Sequence, residues 1–149
     1  MHALVNTAVK AARKAGDLII RYRDRLDTVQ IQQKGPNDLV TEIDQWAEQE
    51  IIGMIRKAYP SHGFLAEESG GTMPNDEFVW IIDPLDGTTN YVHGFPHYAV
   101  SIACVCRGRL EHAVIYDPCR QELFTASRGH GARLDNRRLR VSAARQLQG

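Results

Sequence analysis

The chain has 149 residues, 43% of them hydrophobic and 24% charged, enough apolar material for one domain with a core. Its 18 basic residues match 18 acidic ones, so bulk charge gives no pull toward nucleic acid or an anionic membrane. No run approaches the ~18 apolar residues of a membrane span, and the first residues hold no signal-peptide block.

Leu4, Ala8, Ala11, Ala15, Leu18, Ile19 and Tyr22 recur at helical spacing and predict a long first helix over 3–22. TVQIQ (28–32) alternates like a short strand, and KGPND (34–38) has turn chemistry. A second helix is expected over 42–58, with Ile43, Ala47, Ile51, Met54 and Ile55 on one face, Thr41 as N-cap and Pro60 past its end. GFLA (63–66) reads as a short strand that stops on Glu67 and Glu68.

From Phe78 onward FVWIID, HYAVSIACVC, LEHAVIYD, ELFTAS and ARLDNRRLRV are strand-like, separated by tight turns at 107–109, 117–121, 127–131 and 135–136. Short turns favour hairpins, so these strands should pair antiparallel. The expected fold class is therefore α+β, with two N-terminal helices packed on one face of a largely antiparallel sheet. No linker or repeat divides it. The last strand pattern ends at Val141 and SAARQLQG adds no closing element, as in a shortened chain or a natural fragment. Cys104, Cys106 and Cys119 suit neither a CxxC metal knuckle nor a disulfide framework; they read as buried thiols in a reducing cytoplasm.

The chemistry is concentrated in WIIDPLDGTTNYVHGFP (80–96). Asp83 and Asp86 end an apolar strand, where an uncompensated carboxylate costs several kcal/mol, roughly. No Lys or Arg occurs between Lys57 and Arg107, so a bound cation is the natural compensation. All-oxygen donors select Mg²⁺, Mn²⁺ or Ca²⁺ over zinc. Helix capping by Asp83 or Asp86 is the bland alternative, and for that pair alone it weighs evenly. Glu67 and Glu68 also end an apolar run, and Asp38 and Asp44 flank the start of the second helix. Three acidic clusters at element ends favour convergence on one site. Gly87, Thr88 and Thr89 follow as a sharp turn whose amides suit an anion. Cations beside an anion-binding turn describe metal-assisted hydrolysis of a phosphate ester. The DxDGT signature of haloacid-dehalogenase phosphatases fits poorly, because the aspartates here are three apart.

DLVTEID (38–44), LAEES (65–69) and WIIDPLDGTTNYVHGFP, in that order and spacing, resemble the signatures of the inositol monophosphatase family, and the likeness runs on through most of the chain. The resemblance implies Mg²⁺-dependent, lithium-sensitive hydrolysis of a phosphate monoester, inositol 1-phosphate foremost, by a phosphoric monoester hydrolase. It implies that Glu67 and Asp83, with the Leu85 carbonyl, hold one Mg²⁺, and that Asp83 and Asp86 hold a second. Asp44 and Thr88 would activate the water, Glu67 completing the catalytic set. Asp86, Gly87, Thr88 and Thr89 would bind substrate. Lys34 resembles a mobile lysine near the site, and Glu68 a glutamate of less direct role.

The family fold is an αβαβα sandwich, and residues 1–149 correspond to its first α and β layers, the N-terminal α+β portion without the C-terminal α/β portion. On that footing these residues alone are expected to be nearly inactive. The branch resembled is bacterial and is also associated with ribosomal RNA transcription. A non-catalytic role in a transcription complex is thus the alternative reading, and a homodimer is a further partner left open. Arg133, Arg137, Arg138, Arg140 and Arg145 crowd the last stretch; a solvated hairpin is the simple reading, and an RNA or protein contact the functional one. His93 and His97 read as loop or core residues.

Overall fold

The computed structural model describes residues 2–26, 36–70 and 77–146. The expected strand at 28–32 and Lys34 lie outside them. Helix α1 spans Ala3–Arg23 and α2 Pro36–Ala58. The strands are β1 Gly63–Ala66, β2 Phe78–Asp86, β3 Ala99–Cys106, β4 Arg109–Asp117, β5 Glu122–Ser127, β6 Gly131–Leu134 and β7 Arg137–Arg138, with a short helix α3, Thr88–Val92, between β2 and β3.

The seven strands form one sheet in chain order. β1 pairs parallel to β2, and every later pair is antiparallel. Both long helices pack on each other and on one face of this sheet. The core follows from the two periodicities. Ala8, Ala11, Ala12, Ala15 and Ile19 bring the small-residue stripe of α1 down onto Val114 and Tyr116 of β4, while Ile43, Ala47, Ile51 and Ile55 of α2 cover Trp80 and Ile82. At Gly16 the helix lies so close to β4 that an added Cβ would sit 2.6 Å from the Tyr116 ring. The other sheet face leaves Leu65, Ile81, Leu110 and Ile115 partly exposed.

Two hydrogen bonds, one buried and one part-buried, tie distant segments. Tyr91 Oη donates to the Ile19 carbonyl at 2.7 Å, anchoring α3 to α1. Trp80 Nε1 donates to His62 Nδ1 at 2.9 Å. Trp46 is 38% exposed, its ring 5.3 Å from that of Tyr22.

One expectation is corrected. Helix α2 begins at Pro36, six residues before the expected start, so Thr41 is an interior residue and no N-cap. Proline suits the first helical position, where its missing N–H costs nothing and its fixed φ is already helical. The Pro-Asn-Asp run that reads as a turn is the opening of the helix. The cysteines are all free, with Cys104 buried and its thiol pushed up to about 12 by that burial.

Candidate active site

Three elements deliver carboxylates to one end of the sheet. β1 runs parallel to β2, with Ala66 opposite Ile82. The ladder continues one step, since Glu67 N–H donates to the Ile82 carbonyl at 3.1 Å. That step sets Glu67 beside Asp83. The next residue, Glu68, is held from below: its N–H donates to Glu48 Oε1 at 2.8 Å. Glu48 is 2% exposed, so a buried carboxylate of α2 fixes the turn carrying Glu67. Asp44, one helical turn earlier, faces the same cluster.

The carboxylates act on one another's charge. Asp44 is 7% exposed, and its Oδ1 has no hydrogen-bond partner. Burial first, then the charges of Glu68, Glu67, Asp83 and Glu48, push its carboxyl up to about 7. Asp83 is likewise pushed up to about 7, by burial, by a hydrogen bond with the Glu67 carboxyl, and by the charges of Glu67 and Asp86. Glu68 is raised as well, by burial and by Glu67 and Glu48.

β2 has a register shift between Asp83 and Asp86, the bulge expected where a strand re-aims its side chains at a site. Asp83 Oδ1 accepts the Leu85 N–H at 3.3 Å, a local turn contact. Asp86 does not cap α3: the N-cap is Gly87, at φ 96°, and no side chain caps the helix. The capping reading of Asp86 therefore fails. Glycine is required at 87, where a Cβ would approach the His97 carbonyl oxygen to 2.9 Å. Helix α3 has only five residues, so its dipole is small; the first-turn amides, which have no intrahelical acceptor, are what an anion would use.

Glu67 and Asp83 border one hollow of about 330 Å³ with Leu65, Ile81 and Ser101. Asp86 and Gly87 border the next, about 370 Å³, with Asn90, His97, Asp117 and Arg120. Thr88 Oγ1 donates to the Leu85 carbonyl at 3.1 Å, not to Asp44. Thr89 is exposed. Among the described residues no three His, Cys, Asp or Glu side chains stand as a ready coordination set; the contacts are pairwise. The donors nonetheless fit a hard divalent cation, because they are oxygens only, crowded, and include an orphaned buried Asp44 oxygen.

Sequence reasoning missed two residues. Glu48 sits mid-helix beside the apolar stripe, and only the contact with Glu68 shows its task. Arg120 reads as part of a turn, yet its guanidinium contacts Asp117 at 3.0 Å and His97 at 3.3 Å beside Asp86 and Gly87. The adjacent DP at 117–118 was the available signal.

Helices on one face of a mostly antiparallel sheet, with carboxylates meeting a glycine turn at its end, place the molecule in the α+β sandwich class. The sequence model of the inositol monophosphatase family matches residues 1–149, and the chain belongs to that family. It is 55% identical to "Nus factor SuhB" of Pseudomonas aeruginosa, over 100% of this chain and 56% of that protein. The same identity and coverage hold for Nus factor SuhB of Escherichia coli K12. The extragenic suppressor protein suhB of Bartonella henselae has the same fold at TM-score 0.87 and 43% identity, covering 99% of this chain and 58% of that one. The inositol monophosphatase of Anabaena aligns at TM-score 0.79 and 37% identity, over 93% and 49%. The chain spans just over half the length of the curated relatives it matches.

Proposed function

We propose that the protein is a cytoplasmic, Mg²⁺-dependent phosphomonoesterase, with inositol 1-phosphate as its leading substrate. The observation that carries this reading is the carboxylate gathering: burial and neighbouring negative charge push the Asp44 and Asp83 carboxyls up to about 7, with Glu67 beside them. In the proposed site Glu67, Asp83, Asp86 and the Leu85 carbonyl hold Mg²⁺, which when bound lowers the pKa of a water and offsets phosphoryl charge. Asp44 accepts the proton of the attacking water, from a buried position at the edge of the cluster. Thr88, its own hydrogen committed to Leu85, keeps oxygen lone pairs to orient that water. The amides after Gly87 receive the phosphoryl oxygens, with Asp86 and the exposed Thr89 beside the substrate. Residues 1–149 alone supply part of this apparatus and should turn over little. The test is phosphate release from inositol 1-phosphate by the full-length protein with Mg²⁺ and with EDTA. Metal-dependent release, lost in Asp86→Asn and inhibited by Li⁺, is expected; equal release in EDTA overturns the reading.

The relatives called Nus factors favour a second reading, a non-catalytic partner of the ribosomal RNA transcription machinery. Arg137, Arg138 and Arg140 are exposed and suit such a contact. Full-length Asp86→Asn separates the two: lost hydrolysis with the transcription phenotype intact shows both roles to be present and independent.

A further inference from the structure

At the other end of the sheet a cavity of about 850 Å³ opens between the start of α1, β4 and the β5–β6 turn. Phe78 borders it and precedes Asp83 by five residues of extended strand, about 17 Å along β2. It is thus separate from the carboxylate site. His2, His112 and His130 all line it.

Each of these rings is held by its Nδ1. His2 Nδ1 accepts the Leu4 N–H at 3.2 Å. His112 Nδ1 meets Ser127 Oγ at 2.9 Å, and His130 Nδ1 meets the Arg128 carbonyl at 3.0 Å. No hydrogen bond among the described residues uses an Nε2 of the three. The His2 and His112 rings lie 4.4 Å apart, centre to centre.

The charge around the cavity is one-sided. Arg133 lines it and forms no ion pair among the described residues. The acid on the wall, Glu111, is taken by Arg128 at 3.1 Å. Leu4 and Phe78 supply an apolar side. An anion suits every feature.

We propose that this cavity binds a phosphate ester carrying a flat ring, of mononucleotide size, with its phosphate among the three histidines and Arg133 and its ring toward Leu4 and Phe78. The volume matches small-molecule sites. His112 is held below the ordinary histidine range by burial first and then by His2, with Glu111 opposing them and His130 adding a lesser push in the same direction as His2. An anion seated there would relieve that repulsion. The groups facing it are His2 from α1, Cys106 from β3, Glu111 and His112 from β4, Arg128 and His130 from the β5–β6 turn, and Arg133 from β6. An anion beside the His112 ring favours its charged form, which burial disfavours, so binding should tighten as pH falls.

The test is calorimetry and histidine NMR on the full-length protein in EDTA, with adenosine monophosphate as probe. Inorganic phosphate is the second arm. Adenosine monophosphate should bind at pH 6 at least tenfold tighter than at pH 8, moving the His2, His112 and His130 signals, and at least tenfold tighter than phosphate. His130→Gln with Arg133→Ala should weaken it tenfold while Mg²⁺-dependent hydrolysis is unchanged. Absent binding, pH-independent binding, equal affinity for phosphate, or full affinity in the double variant would each overturn the proposal.

Discussion

Replacing Asp44 by asparagine tests the electrostatic argument without any assay of catalysis. In the metal-free protein the Asp44 carboxyl is raised from 3.8 to about 7. Between those values the folded state holds a proton that the unfolded state has lost, so stability falls as pH rises from about 4 through 7 and then levels. Unscreened, the shift is worth roughly 4 kcal/mol. The exposed Glu67 and Glu68 beside it admit solvent, which reduces this to about 1–2 kcal/mol. For a chain of this size that is about 3–8 °C in Tm. Asp83 contributes in the same direction, and His112, whose pKa is lowered, acts in the opposite one. Both remain in Asp44→Asn, so the difference between the two proteins reports Asp44 together with its charge coupling to Asp83, Glu67, Glu68 and Glu48. Melts in EDTA across pH 5–8.5 should show the variant more stable at pH 8 and level with the parent near pH 4–5. Millimolar Mg²⁺ should raise the parent's Tm at pH 8 and narrow the gap. A variant that melts below the parent at pH 8 in EDTA refutes the account, because the buried carboxylate would then be a favourable contact.

Gly16→Ala should destabilise by about 1–3 kcal/mol, although the same change in a solvated helix is favourable; the cause is the 2.6 Å approach to Tyr116, and a urea midpoint that rises would contradict it. Gly87→Ala should cost about 1–2 kcal/mol from the left-handed backbone, plus the 2.9 Å contact with the His97 carbonyl, and phosphate release should fall further than stability does. Glu48→Gln keeps an acceptor for the Glu68 N–H and should fold normally, whereas Glu48→Ala orphans that amide and should lose about 1–3 kcal/mol in denaturant titrations. Equal behaviour of the two variants would mean the contact does not hold the turn.

Strand β3 was legible because it has one buried face: Val100, Ile102 and Cys104 alternate with less buried neighbours, and the turns between the later strands are short. The start of α2 was not legible, because Pro-Asn-Asp serves equally as a turn or as a helix opening, and packing decides. The same limit hid Glu48 and Arg120, whose partners are 20 and 23 residues away, Glu68 and His97. What sequence could state was a deficit. A stretch of chain from Lys57 to Arg107 without Lys or Arg, carrying carboxylates at strand ends, must be neutralised from outside or must take up protons. The fold brings Asp44, Glu67 and Asp83 together, and burial with mutual repulsion pushes the carboxyls of Asp44 and Asp83 up to about 7. A cluster that only ornamented the surface would ionise freely. Burying Asp44 with an unpartnered oxygen makes sense where something positive comes to meet it, and the parallel β1–β2 pair is the element that aligns Glu67 with Asp83 to receive it.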